Sequence, residues 1–313
     1  MLPFRLVYHE KYDLHLGAHI FPSQKFRWLH DRLIRTRFAC DEDFVAPEPA
    51  TDDDILLVHE NQWVTKLRTG TLTYQDILRL EIPYSRQMVD AFWLAAGGTI
   101  LAARLALESR GIGYNVGGGF HHAFPDHGEG FCAINDIAVA IRVLQRDRTI
   151  RRAMVIDCDV HHGNGTAAVF AQDPSVFTLS IHQFNNYPSE KPPSSLDIHL
   201  PDGVGDAEYL QRLGNGYRAA LTMFHPELVI YVAGSDPFFE DQLGGLSLTF
   251  DGLKERDRLV IWTALSHGIP LAVVLAGGYA QSIEDTITIH AGTAEVAKEI
   301  LDALAIGPAR PSA

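Results

Sequence analysis

Apolar residues along this chain gather into short, nearly unbroken runs separated by longer stretches of mixed polarity. The runs RLVY at 5–8, AMVIDCD at 153–159, SVFTLSIH at 175–182, LVIYVAGSD at 228–236 and PLAVVLAGGY at 270–279 are rich in strand-forming residues. Runs without alternation predict strands buried on both faces. Between several of them the period lengthens. Leu210, Leu213, Tyr217, Leu221 and Phe224 line one helix face before Pro226, although Gly214 and Gly216 weaken that helix. A second helix is predicted over 91–108, and a third begins at Ser282, where S-x-x-D with Asp285 can cap it. Strands alternating with helices imply right-handed crossovers and an α/β fold: a central, mostly parallel sheet flanked by helices. Ligands then bind beyond the carboxyl ends of the strands.

No segment repeats and no long linker divides the sequence, so residues 1–313 are expected to form a single domain, with about 306–313 as a flexible tail. Two Pro-rich polar stretches, APEPATDDD at 46–54 and SEKPPSS at 189–195, are expected on the surface, where either could frame a binding site. The 46% hydrophobic and 21% charged content excludes disorder and fibre. A net charge of −13 opposes a nucleic-acid partner and favours cationic ones. Cys40, Cys132 and Cys158 are scattered and form no C-x-x-C, so neither a disulfide framework nor a Cys-rich zinc site is expected. The N-terminus lacks a signal-peptide pattern and the longest uncharged apolar run, 91–103, is too short for a bilayer. A cytoplasmic location without membrane attachment is expected, a nuclear one staying open.

The candidate chemistry sits at strand ends. In D-C-D-V-H-H-G-N-G, an extended chain would stack Asp157, Asp159 and His161 on one side. Carboxylates so close repel and are costly to bury unless a cation neutralises them. With Asp236 of A-G-S-D-P, Asp159 and His161 offer three metal ligands and leave an open position, as catalytic zinc sites do; Asp157 would support them. The bland alternative has Asp157 and Asp159 capping a turn through Gly163 and Gly165. A second constellation, G-G-G-F-H-H at 117–122, puts His121 and His122 after a flexible loop, where one imidazole can take a proton from activated water and its neighbour can stay charged; a merely structural pair remains open. Tyr279, after Gly277 and Gly278, is either a phenol donor to an oxyanion or an aromatic cap at the sheet edge. Phe131 and Tyr187 could line a narrow apolar entrance. Near misses to other sites fail: HEKYD at 9–13 and HENQW at 59–63 lack a second metal-binding His, GIGYNVG at 111–117 has Val116 where a dinucleotide loop needs its third glycine, and GLSLT at 245–249 lacks a closing glycine for a nucleophilic serine.

Taken together, Tyr114–His122, GEGFCAINDIA at 128–138, VIDCDVHHGNGT at 155–166, YVAGSDPFFEDQLGGLS at 231–247 and AGGY at 276–279 resemble the zinc-dependent histone deacetylase family. GGGFHH and DQLGGLS give the resemblance its class IV, histone deacetylase-like amidohydrolase, character. The resemblance implies an arginase/deacetylase-type fold with one Zn2+ on Asp159, His161 and Asp236. It implies tandem active-site histidines at His121 and His122, oriented by Asp157 and Asn164, and an oxyanion-stabilising Tyr279. It further implies a structural K+ near Asp157, Asp159, His161, Ser180 and Ile181. Phe131 and Tyr187 would wall an acyl-lysine tunnel, with Gly130 and Gly278 beside the substrate. No counterpart of the family's peptide-gripping rim aspartate is found near Glu81 to Tyr84.

The expected activity is hydrolysis of an N-acyl-lysine, acetyl or longer, by metal-activated water. Three rivals stand beside it: an acetylpolyamine amidohydrolase, a silent acyl-lysine-binding scaffold, and a two-manganese ureohydrolase. Gly163 and Phe238 occupy the positions where the last would need extra carboxylates.

Overall fold

A strand buried on both faces has no use for alternating polarity, and the central strands here show none. The computed structural model describes residues 1–306. In chain order its strands are β1 (Arg5–Val7), β2 (Phe44–Val45), β3 (Ile112–Asn115), β4 (Ala153–Asp157), β5 (Val176–Gln183), β6 (Leu196–Leu200), β7 (Leu228–Val232) and β8 (Leu271–Val274). Every residue of β3, β4, β5, β7 and β8 is buried. The eight strands form one sheet in the order β2-β1-β3-β8-β7-β4-β5-β6, and every pairing is parallel.

Parallel neighbours need long crossovers, which the lengthened-period segments supply. The helices are α1 (Lys25–Arg35), α2 (Asp52–Ile55), α3 (Asn61–Thr69), α4 (Tyr74–Leu80), α5 (Arg86–Ser109), α6 (Asp136–Arg146), α7 (Asn164–Phe170), α8 (Asp206–Phe224), α9 (Phe250–Ser266) and α10 (Ile283–Ile306). α5 starts earlier than its apolar stretch because the Ser85 hydroxyl accepts from Met88 N and caps a polar first turn. By length and composition it is the one helix among the described residues that could cross a membrane, but it is mostly buried inside the protein as a core helix. α8 ends at Phe224, one residue before His225 takes a left-handed conformation. Gly216 stays helical because its missing Cβ leaves room for Ile198 of β6. α10 begins after Ser282, whose carbonyl accepts from Asp285 N at 3.0 Å.

Three strands are shorter than their apolar runs. β4 stops at Asp157, β7 at Val232 and β8 at Val274, so the polar residues expected on strands lie in the loops that follow. The stretch at 46–54 contains the Thr51-capped start of α2. All three cysteines are free. Nearly all of the expected tail, 307–313, lies outside the described residues.

Candidate active site

β8, β7 and β4 are adjacent near the middle of the sheet, so the loops leaving their carboxyl ends meet. Beyond Asp157 the chain does not remain extended. Asp159 N donates to Asp157 Oδ1 at 3.1 Å and His161 N donates to Asp159 Oδ1 at 3.0 Å. This carboxylate-stitched turn, rather than the pleat of a strand, presents Asp159 and His161 together, which corrects the stacked arrangement expected from the sequence. Asp236 arrives from the loop after β7, its Oδ1 accepting from Val160 N at 2.8 Å. Its Oδ2 lies 3.4 Å from His161 Nδ1. One ligand atom from each of Asp159, His161 and Asp236 falls within 4.8 Å of the others.

The surroundings hold this geometry. Gly277 N donates to Asp159 Oδ2 at 2.8 Å, and a Cβ on Gly277 would collide with both carboxylates. Arg256 of α9, fully buried, donates to Gly234 O at 2.6 Å and Cys158 O at 3.3 Å, bracing two ligand-bearing loops while Asp257 balances its charge. Asp236 Oδ2 is buried with no hydrogen-bond partner. Burial, and then the Asp159 charge, raise the Asp236 carboxyl above the usual range. Two packed carboxylates with an orphaned oxygen beside an imidazole nitrogen form a donor set that a divalent cation fits. A second group, His162, His182 and Asp197, could also hold a metal by proximity. Its members already pair: His162 Nε2 with Asp197 Oδ1 at 3.1 Å and His182 Nδ1 with Ser180 Oγ at 2.9 Å.

The glycine-rich loop is gathered by Asp136 at the start of α6, which accepts from Gly119 N at 3.0 Å and Phe120 N at 2.7 Å. Gly119 has φ 90°, and a Cβ there would stand 2.6 Å from Ala276 N, so glycine is required. The loop delivers His121 and His122 with ring centroids 4.0 Å apart. Their partners differ. His121 Nδ1 donates to Asp157 Oδ2 at 2.7 Å, whereas His122 Nδ1 donates to Asn164 Oδ1 at 2.7 Å. Burial works to lower the His121 imidazole, but Asp157 and Asp159 outweigh it and raise the group to about 9. Burial lowers His122 too, and there His121 and His161 add to the effect, so it falls well below its ordinary value. Adjacent imidazoles are thus driven apart, one charged and one neutral at pH 7.

A cavity of about 190 Å³ opens beside these groups, walled by Gly130, Phe131, Tyr187 and Tyr279 together with His122 and His161. Phe131 takes φ 68°, a costly conformation for a non-glycine residue, and its ring stands 6.1 Å from that of Tyr279. Tyr279 N donates to Asp241 Oδ2 at 2.7 Å, which aims the side chain. Burial, then Asp159 and Asp236, push its phenol well above the ordinary value, so the hydroxyl remains a donor. Gly278 does not line the cavity; with φ 145° it turns the chain against Ser235. Ser180 pairs with Asp157 across β5 and β4, which puts Ile181 one residue further along β5. Of the two Pro-rich stretches, Ser189 to Pro192 line a recess that shares Glu81 and Tyr187 with the cavity, while nothing from 46–54 lines either.

Several residues here escaped the sequence reading. Glu81, in a left-handed conformation at the end of α4, lines the cavity, a place the sequence did not assign it. Asp241 and Glu129 lay inside quoted motifs, so a signal existed. Lys25, fully buried, donates to Ala276 O at 2.6 Å, and only its fold-level neighbours single it out.

A family model described as the histone deacetylase domain matches residues 19–294. An uncharacterized protein of Picosynechococcus sp. is 42% identical over 298 residues, covering 95% of this chain and 99% of that protein. Histone deacetylase 2 of Arabidopsis thaliana is 32% identical over 290 residues, covering 88% and 75%. Among solved structures, the HD domain of HDA15 matches with a TM-score of 0.80 at 24% identity, covering 96% of this chain and 95% of that one. An HDAC homolog complexed with SAHA matches with a TM-score of 0.79 at 24% identity, covering 96% and 88%. The matched stretch contains the turn after β4, the paired histidines and the loops after β7 and β8, and on this footing the chain belongs to the histone deacetylase family.

Proposed function

We propose that the chain is a deacylase that hydrolyses N-acyl-lysine, with one zinc ion held by Asp159, His161 and Asp236. The observation that carries this reading is the orphaned Asp236 oxygen in a three-ligand set flanked by oppositely perturbed histidines. Bound there, zinc would supply Lewis acidity, polarising the acyl carbonyl and acidifying water. His122, neutral, takes the proton of the attacking water on Nε2 and returns it to the leaving amine. His121, kept charged by Asp157, favours the developing negative charge. The Tyr279 hydroxyl donates to the oxyanion. Phe131 and Tyr187 clasp the apolar stem of the acyl-lysine, and the Gly130 carbonyl accepts from the scissile amide N–H. The products are a free amine and a carboxylate. A structural K+ near Asp157, Asp159, His161, Ser180 and Ile181 belongs to the same proposal, supported by the pairing of Asp157 with Ser180.

A second reading, an acetylated polyamine as substrate, is favoured by one feature: Glu81 on the cavity wall could meet a distal ammonium. Turnover of lysine peptides from acetyl to myristoyl beside acetylated polyamines, using enzyme whose metal is counted, separates these readings. Acyl-lysine turnover with one zinc per chain is expected. Two bound manganese ions would point to the ureohydrolase chemistry, and no turnover of any substrate by the zinc-loaded protein would favour a silent binder.

A further inference from the structure

Glu129 has no part in the steps above, yet it reaches the base through one intervening side chain. Its Oε1 accepts from Asn164 Nδ2 at 2.7 Å, and the other end of that amide, Oδ1, accepts from His122 Nδ1 at 2.7 Å. An amide has one donating and one accepting end, and whichever end meets a histidine decides which ring nitrogen carries the proton. An ionised carboxylate only accepts. Facing Glu129, Asn164 must therefore turn Nδ2 toward it and Oδ1 toward His122, which keeps the proton on Nδ1 and leaves Nε2 its lone pair.

The Tyr187 ring stands edge-on to His122 at 5.0 Å, and Tyr187 lowers the same Glu129 carboxyl. Glu129 Oε2 lies 3.6 Å from His127 Nε2. Burial would raise the Glu129 carboxyl, but His127, Tyr187 and Asn164 outweigh burial and hold it below the usual range, so it is an acceptor at neutral pH. No other hydrogen bond of the Asn164 amide is present among the described residues to fix its orientation.

We propose that Glu129 is a positioning residue: through Asn164 it selects the His122 tautomer that can act as a base. The inference rests on the reading of His122 as the proton acceptor.

Three substitutions grade the effect in the full-length, zinc-loaded protein. E129Q keeps an oxygen that accepts from Asn164. E129L removes it. E129K offers only donors, which turns the amide round and drives the proton to Nε2. Nitrogen-15 NMR of the imidazoles reads the tautomer without any turnover. His122 is expected protonated on Nδ1 in the parent and E129Q, mixed in E129L, and protonated on Nε2 in E129K. Values of kcat for the best acyl substrate should fall in the same order, with E129K losing about 100-fold or more, the usual worth of a positioned base. Zinc content and thermal midpoint near the parent's show that each variant is folded; should E129K fail that check, E129Q against E129L carries the comparison. The same protonated nitrogen in every variant overturns the proposal. A tautomer that follows the series while kcat does not upholds the hold on the amide and overturns His122 as the base instead.

Discussion

At the scale of single residues, two predictions separate roles that the geometry brings close together. Tyr279 touches the cavity but none of the three candidate ligand atoms depends on it, so Tyr279→Phe should lower kcat about 100-fold or more while zinc content stays at the parent's level. Steady-state kinetics with metal analysis checks this, and undiminished turnover excludes the phenol as an oxyanion donor. His121 offers a pH test. Its ring is raised to about 9, so the charge is present below that pH and lost as pH rises through it. The stability contributed by the His121–Asp157 pair has the same sign, full below the unfolded pKa near 6.5 and lost between there and about 9. Asp157→Asn removes the largest factor raising that group, and the alkaline limb of kcat/KM against pH should move to lower pH. A limb that stays in place would separate activity from the His121 charge.

At the scale of elements, a buried ion pair behind the site braces two of its loops. Arg256 links the Gly234 and Cys158 carbonyls, and Asp257 pairs with Arg256 while accepting from Tyr231 Oη and Thr293 Oγ1. Arg256→Met should cost about 3–5 kcal/mol, because it leaves the buried Asp257 carboxylate without a counter-charge. The double variant with Asp257→Asn should lose less than the two single changes summed, which denaturant unfolding measures. The same elements show how far the chain could be read before folding. Unbroken apolar runs gave away β4, β5, β7 and β8, since those strands are buried on both faces. The runs overshot at Asp157, Val232 and Val274 because small or apolar residues also fill the turns packed behind the site. Asp159, His161 and Asp236 were legible as a set from residue type, spacing and their place at strand ends. The turn that presents Asp159 and His161 was not, because it depends on backbone amides donating to Asp157 and Asp159. The place of Glu81 on the cavity wall was not legible for a similar reason: it comes from a left-handed turn at the end of α4 that no pattern marks.

At the scale of the whole molecule, the candidate ligands come from loops after two neighbouring central strands, with Gly277 after a third closing over them. A metal bound by the folded state alone should therefore stabilise it, by about 2.7 kcal/mol at a hundredfold excess over Kd, and raise the melting temperature as its concentration rises. Thermal melts of chelator-stripped protein across a zinc series check this, and Asp236→Asn should flatten the response. A rise of equal size in that variant would place the stabilising ion elsewhere. All eight strands also run the same way, so every connection entering a strand lies on the rim opposite the cavity. There the exposed bend at Arg148 and Thr149, and the one at Gly268, are natural points for a tether or an inserted tag. A protein fixed to a bead or a sensor chip through either bend would keep its mouth turned outward, open even to a bulky macromolecule in solution.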